Sequence, residues 1–272
     1  MKMRSSNTIR FTKMHGLGND FVIINALDQA LTLPSLPIKQ LADRHRGIGF
    51  DQLLIIESSQ QADFFCRIFN ADGSEAEQCG NGLRCIARFI HETGLHAQTM
   101  LRIETKAGIF PIFIQDYDHI RVTLEAPHIQ EKLIALPLKE YQPAIPLSIL
   151  STGNPHAIVK MESLDQGLVN QLAPEIATHT LFPQGVNVGF MQVLDRHHVR
   201  LRTFERGVGE TYACGSNACA AACAGIANHW LQHEVTVEFR FGSLLVEWQG
   251  EHHPIHLTGP AAHVYSGEIA II

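Results

Sequence analysis

Apolar residues in this chain gather in two kinds of segment. Phe21 to Asn25, Asp51 to Glu57, Phe64 to Phe69, Ile120 to Leu124, Val199 to Phe204 and Val235 to Phe241 are short, aliphatic or alternating, and bounded by turn residues, which predicts strands. Gly80 to Glu92 and Gly215 to Asn228 have helix length and apolar spacing, and Gly94 follows the first as a C-terminal stop. The pattern predicts an α+β fold in which a strongly curved sheet surrounds one buried central helix, and it does so twice.

The doubling is visible in the sequence itself. An offset of 135 brings Gly18-Asn19 onto Gly153-Asn154 and Val22-Ile23-Ile24 onto Ala157-Ile158-Val159. Gln52 then meets Asn187, Arg67 meets Arg202, Asn70 meets Glu205, Glu75 meets Glu210, and Cys79-Gly80 meets Cys214-Gly215. After the cysteines the offset falls by one, so that Cys85 meets Cys219 and Gly108 meets Gly242. A long unit present twice signals a duplicated domain, since a solenoid would repeat a shorter unit three times or more. The shared positions are largely polar or special residues, which core patterning alone does not explain. Two pseudosymmetric domains are expected, residues 1–128 with 261–272 and residues 129–260, each a curved mixed sheet or barrel around its helix. The active site is expected in the cleft between them. His128 to Pro143 reads as the connection between the repeated halves.

Composition narrows the class of function. The 272 residues are 45% hydrophobic and 18% charged, which suits a globular protein with a substantial core. A net charge of -6 and no cluster of Lys and Arg with interleaved aromatics argue against nucleic acid as a partner. The first ten residues carry positive charge with no apolar stretch behind them, so they predict no secretory signal and a cytoplasmic location. The least polar stretch, Tyr212 to Ile226, falls short of the ~18 residues needed to cross a bilayer and reads as a buried helix. Six cysteines in a chain of this size and location are expected to be reduced thiols.

Two of those thiols stand out. In Cys79-Gly80-Asn81-Gly82 and Cys214-Gly215-Ser216-Asn217 a cysteine lies where a loop becomes a helix, followed by small residues that let a ligand approach the backbone. Free N-H groups and the positive end of the helix dipole can stabilise a thiolate and can hold a carboxylate. Matching positions in two related halves would place one thiol on each side of a bound molecule, as inversion of a carbon centre by proton transfer requires. Cys66, Cys85, Cys219 and Cys223 read as small core residues. A redox disulfide and a metal site are competing readings, weakened because neither Cys79 nor Cys214 belongs to a Cys-x-x-Cys pair and no His cluster has ligand spacing.

The ordered segments His15-Gly16-Leu17-Gly18-Asn19-Asp20-Phe21, Gly49-Phe50-Asp51-Gln52-Leu53, Phe69-Asn70-Ala71-Asp72-Gly73-Ser74, Cys79-Gly80-Asn81-Gly82-Leu83-Arg84-Cys85, Gly153-Asn154-Pro155-His156, Gly185-Val186-Asn187, Glu205-Arg206-Gly207-Val208-Gly209-Glu210-Thr211 and Ala213-Cys214-Gly215-Ser216 resemble the diaminopimelate epimerases. The resemblance implies conversion of LL-2,6-diaminopimelate to the meso form, in lysine and peptidoglycan precursor biosynthesis, without pyridoxal phosphate or another cofactor. It implies that Cys79 and Cys214 are the acid/base pair, and that His156 and Glu205 adjust their pKa values. The backbone at Gly80-Asn81 and Gly215-Ser216 would hold the carboxylate at the reacting centre. Asn19, Gln52, Asn70, Asn154, Asn187 and Glu205-Arg206 would form the polar set that reads the substrate, Arg206 gripping a carboxylate and Glu205 with the amides an ammonium. A homodimer is the candidate assembly, with no metal and no membrane partner. One departure is Asn217, where a second glycine is expected; Asn also tolerates unusual backbone angles.

Other readings remain open at this level. A cofactor-independent racemase of proline or hydroxyproline would not need groups for a second amino-acid end. A relative with a carboxylate base would lack the paired cysteines, and an amino-acid binding protein would need no thiols.

Overall fold

The computed structural model describes residues 7–31 and 36–271. The start of the segment read as lacking a signal, residues 1–6, lies outside them. The chain divides into two compact units, one running to Val122 and resuming at Pro260, the other spanning Thr123–Gly259.

In the first unit, β1 (Asn7–Gly16) and β2 (Asn19–Asn25) form a hairpin, and β18 (Ala262–Ile271) pairs antiparallel with β1 on its other side. β3 (Gln52–Glu57) lies parallel to β2 and antiparallel to β4 (Phe64–Asn70), which carries the two-residue β5 (Glu75–Ala76). β6 (Met100–Thr105) runs parallel to β4 and continues through β7 (Gly108–Ile114) to β8 (Ile120–Leu124) by antiparallel pairing. Residues Phe21 to Ile24 and Leu53 to Ile56 are all buried, because both faces of these strands are covered. α1 (Ile38–Ala42) packs on the Val22, Ile24, Leu53 and Ile55 side, while α2 (Gly80–Glu92) packs against β1, β2, β3, β7 and β18.

The second unit repeats this order. β9 (His128–Leu136), β10 (Ile145–Ser151) and β11 (Pro155–Met161) are antiparallel neighbours, β12 (Asn187–Val193) is parallel to β11, and β13 (His198–Glu205) is antiparallel to β12 and carries β14 (Gly209–Thr211). β15 (Glu234–Phe239) is parallel to β13, followed by antiparallel β16 (Gly242–Trp248) and β17 (Ile255–Gly259). α3 (Gln166–Ala177) covers one face with Val169, Leu172 and Ile176. α4 (Gly215–Ala227) packs against β9 through β13 and β15 through β17. One straight helix can touch so many strands only if the sheet curves around it. Its alanines, glycines and cysteines keep it narrow enough for that enclosure, and Cys219 to Cys223 are fully buried.

The expected doubled fold is therefore present, with three differences in detail. Each unit has a second helix, α1 or α3, that the apolar pattern did not predict. His128 to Leu136 is a strand paired with β10 rather than a connection. The change of offset is also misplaced in the sequence alignment. α2 and α4 match at 135 from first residue to last, so Cys85 corresponds to Ala220, and the lost residue falls between the helix and the next strand. A deletion inside a helix would rotate every later side chain by about a quarter turn, whereas a loop absorbs it.

Candidate functional site

Cys79 is the N-cap of α2, with an extended backbone (φ −153°), and its Sγ accepts a hydrogen bond from the Gly82 N-H at 3.4 Å. The first N-H groups of a helix have no partner within it, so those of Gly80 and Asn81 lie in the turn suited to an anion. A side chain at Gly82 would press on the Leu54 methyl groups at 3.3 Å, which explains that glycine. The Asn81 side chain is buried and turned back into the unit: its amide nitrogen donates to Asn19 Oδ1 at 3.2 Å, and its oxygen accepts from the fully buried Arg84 at 2.9 Å. Asn19 Nδ2 in turn donates to Asp51 at 3.0 Å. Asn19 follows Gly18, whose φ of 89° favours glycine; Gly153 before Asn154 shares it at 94°, so the repeated glycines mark a repeated turn.

Asp51 belongs to an ionic group that sequence reasoning missed. Asp20 receives both terminal nitrogens of Arg44 at 2.8 Å and the Lys13 ammonium at 2.5 Å. Burial alone would raise the Asp20 pKa, but the hydrogen bonds and charges of Arg44 and Lys13 overcome it and hold the carboxyl at about 2. Asp20 and Asp51 also accept each other's backbone N-H, which fixes the start of β2 beside the start of β3. On that adjoining strand Gln52 donates to Asn70 at 2.9 Å, the two lying opposite each other in the β3–β4 ladder. Gln52 Oε1 is buried with no hydrogen-bond partner among the described residues.

In the second unit Cys214 is the N-cap of α4, also extended (φ −134°), but makes no side-chain cap bond; its Sγ lies 3.3 Å from the Ser216 hydroxyl. Burial, then the negative charge of Glu205, pushes this thiol well above its ordinary pKa, against the opposing contact from Ser216. Glu205 itself accepts from the Thr211 hydroxyl at 2.5 Å. Asn187 is buried and uses both ends of its amide on backbone, donating to the Pro155 carbonyl at 3.1 Å and accepting from the Arg206 N-H at 3.0 Å. It thereby ties the strand that starts after Asn154 to the Glu205-Arg206 turn. The exposed Arg206 side chain donates to the Gln184 carbonyl at 3.2 Å.

His156 is fully buried between two amides, with Nδ1 3.2 Å from Asn217 Oδ1 and Nε2 2.9 Å from the Asn154 side chain. Asn217 donates to the Val188 carbonyl at 3.1 Å and to Thr203 Oγ1, and a carbonyl can only accept, so its own oxygen faces His156. Nδ1 of His156 therefore donates to Asn217, while Nε2 faces Asn154 Oδ1. Burial, opposed by the Asn217 hydrogen bond, lowers the imidazole pKa to about 4. Asn217 sits inside α4, so its presence in place of glycine reflects this buried junction rather than an unusual backbone angle.

Within the first unit the structure brings together Cys79, Gly80, Asn81 and Asn19, and pairs Gln52 with Asn70. Within the second it joins Cys214, Gly215, Ser216 and Glu205, and links Asn154, His156, Asn187 and Arg206. Sequence reasoning missed Lys13, Asp20, Arg44, Asp51, Arg84 and Thr211, although Asp20, Asp51, Arg84 and Thr211 lie inside the motif segments. Cys66, Cys85, Cys219 and Cys223 are buried, as expected of core thiols. Among the described residues no group of three or more His, Cys, Asp or Glu is placed to hold a metal ion, and no helix is long and apolar enough to cross a membrane.

Comparison with known proteins agrees with this doubled arrangement. Among solved structures, a PhzF-family phenazine biosynthesis protein of Bacillus anthracis superposes with a TM-score of 0.74 at 23% identity, each chain covered in full. A hydroxyproline epimerase of Agrobacterium vitis gives 0.75 at 18%, covering 99% of this chain and 94% of that one. At those identities the likeness is one of fold. In sequence, the chain is 46% identical to a diaminopimelate epimerase of Ectopseudomonas mendocina, with 97% of this chain and 99% of the relative covered. It is 45% identical to one of Nitrosomonas europaea over 96% and 98%. The diaminopimelate epimerase family model matches residues 11–129 and 148–264, one stretch for each repeat. The chain belongs to the diaminopimelate epimerase family.

Proposed function

We propose that this protein converts LL-2,6-diaminopimelate to the meso form by moving the α-proton between the thiols of Cys79 and Cys214, without a cofactor. The observation that carries the reading is that each cysteine occupies the N-cap position of the central helix of its own repeat, beside first-turn N-H groups that have no partner within the helix and suit a bound carboxylate. The N-H groups of Gly80-Asn81 and Gly215-Ser216 hold the carboxylate at the reacting centre and stabilise the charge that develops on it as the α-proton leaves. One sulfur takes that proton while the other, still protonated, supplies one to the opposite face. The raised pKa of Cys214 suits it to hold its proton in the ligand-free protein. Glu205 and His156 adjust the thiols, Glu205 through its charge beside Cys214.

Asn19, Gln52, Asn70, Asn154, Asn187, Glu205 and Arg206 form the polar set that distinguishes a substrate with two amino-acid ends. The buried unpartnered oxygen of Gln52 suits an ammonium, and the exposed guanidinium of Arg206 suits a carboxylate. The same reading places the enzyme in the cytoplasm as a homodimer, in lysine and peptidoglycan precursor synthesis. Incubation of the purified protein with LL-diaminopimelate and no added cofactor should yield the meso isomer by chiral chromatography. Inversion of proline or hydroxyproline with none of diaminopimelate would overturn the substrate assignment.

A further inference from the structure

Asp72 and Ser74 lie in the turn that leads from β4 to β5, and both are exposed. The Ser74 hydroxyl lies 2.6 Å from Asp72 Oδ1, and the Ser74 backbone N-H donates to the same oxygen at 2.8 Å. The hydroxyl also lies 3.0 Å from Asn70 Nδ2, and Asn70 Oδ1 accepts from Gln52 Nε2 at 2.9 Å. Four side chains thus form one line that ends at the buried, unpartnered Gln52 Oε1.

The direction of this line is set from its outer end. An ionised carboxylate can only accept, and the Ser74 hydrogen bonds hold Asp72 below the usual carboxylate range. The hydroxyl proton therefore points at Asp72, and the hydroxyl oxygen is left to accept from Asn70. Asn70 must turn its nitrogen outward and its oxygen towards Gln52. Gln52 must then commit its nitrogen to Asn70, which leaves its oxygen as the free end. Nothing matches this in the second unit, where Gly207 and Gly209 stand at the positions of Asp72 and Ser74.

We propose that Asp72 and Ser74 are positioning residues that fix the polarity of the Asn70–Gln52 pair, so that Gln52 offers an acceptor oxygen to an ammonium group of the substrate. The assignment of the ligand rests on the diaminopimelate reading. The polarity of the line rests on the hydrogen bonds alone.

Ser74→Ala tests it, because the turn's backbone bonds from Asn70 to Ser74 and from Gly73 to Asn70 are retained. The variant should lose about three- to tenfold in kcat/KM, the scale of one hydrogen bond, with an unchanged Tm. Ser74→Thr, which keeps a hydroxyl, should restore turnover, and Asp72→Ala should resemble Ser74→Ala. In a Gln52→Ala background the Ser74→Ala change should have no further effect, since it acts through Gln52. Wild-type kinetics in Ser74→Ala, or the same fold loss in both backgrounds, would overturn the proposal. Side-chain amide resonances of Gln52 in the ligand-free protein read the polarity without turnover: they should move in Ser74→Ala and return in Ser74→Thr. A stationary Gln52 signal overturns the relay. An inactive wild-type protein whose Gln52 signal moves overturns only the diaminopimelate reading.

Discussion

The two units share one order of strands but anchor their polar residues by different chemistry. In the first, charges do it: Lys13 and Arg44 hold Asp20, Arg44 also meets Asp51, and Arg84 at the other end fixes Asn81. In the second, neutral groups do it, with His156 between Asn154 and Asn217 and Asn187 spent on backbone. A size exchange accompanies the change. Leu54 on β3 faces Gly82 on α2, whereas Gly189 on β12 faces Asn217 on α4, where an added Cβ would lie 2.8 Å from the Asn217 oxygen. Duplication preserved the frame and the two cysteines at the helix heads, while each half settled its interior separately.

The comparison breaks most sharply at what the halves share. Cys79→Ala and Cys214→Ala should each reduce kcat for epimerisation at least about a thousandfold, since a site with one thiol cannot complete an inversion. Retained turnover in either variant would mean the halves do not contribute equally. Gly189→Ala should next cost about 1–3 kcal/mol by overpacking against Asn217 and Ile158, read from denaturant midpoints. A change below a few tenths would show that the close approach is slack.

Acid should separate the units. The His156 imidazole takes up a proton in the unfolded chain below about 6.5 but in the folded one only near 4. Its contribution is intact above 6.5 and is lost as pH falls to 4, at up to about 1.4 kcal/mol per pH unit. Asp20, held at about 2, contributes above its ordinary 3.8 and loses that contribution only as pH falls towards 2. Hydrogen exchange should therefore show the second unit weakening first, and His156→Gln should flatten that loss; an unchanged slope in the variant would contradict the assignment. The smallest effect concerns the helix ends. Gly94 (φ 73°) and His229 (φ 61°) occupy matching left-handed positions, each closing its helix with backbone bonds back to the last turn. His229→Gly should gain about 0.5–1 kcal/mol by relieving strain that Gly94 never carries. A lower Tm would show that the imidazole earns its place.

These contrasts also mark what a sequence makes visible. The helix heads at Gly80 and Gly215 were legible because cysteine and small residues recur there at a fixed spacing. α1 was not, since five residues after a proline hold too little periodicity, and α3 carries Gly167 and Pro174, which read as breaks. β9 exposes most of its side chains, so it lacks the alternation that marks a half-buried strand. At the site, the cysteines and amides were legible through the repeat and the motif segments. Asp72 and Ser74 were not singled out, because in sequence they are ordinary turn residues whose role arises only from the hydrogen-bond line that folding creates.

The account's central claim is that two separate thiols handle the proton. Thiol protons exchange with solvent, so in deuterated water the thiol that delivers to the opposite face delivers deuterium. At low conversion of LL-diaminopimelate, meso product should carry one deuterium at the inverted α-carbon, while recovered LL substrate stays almost wholly protiated. Meso product that retains the original α-hydrogen would mean that one group removes and returns the same proton, and would contradict a mechanism shared between Cys79 and Cys214.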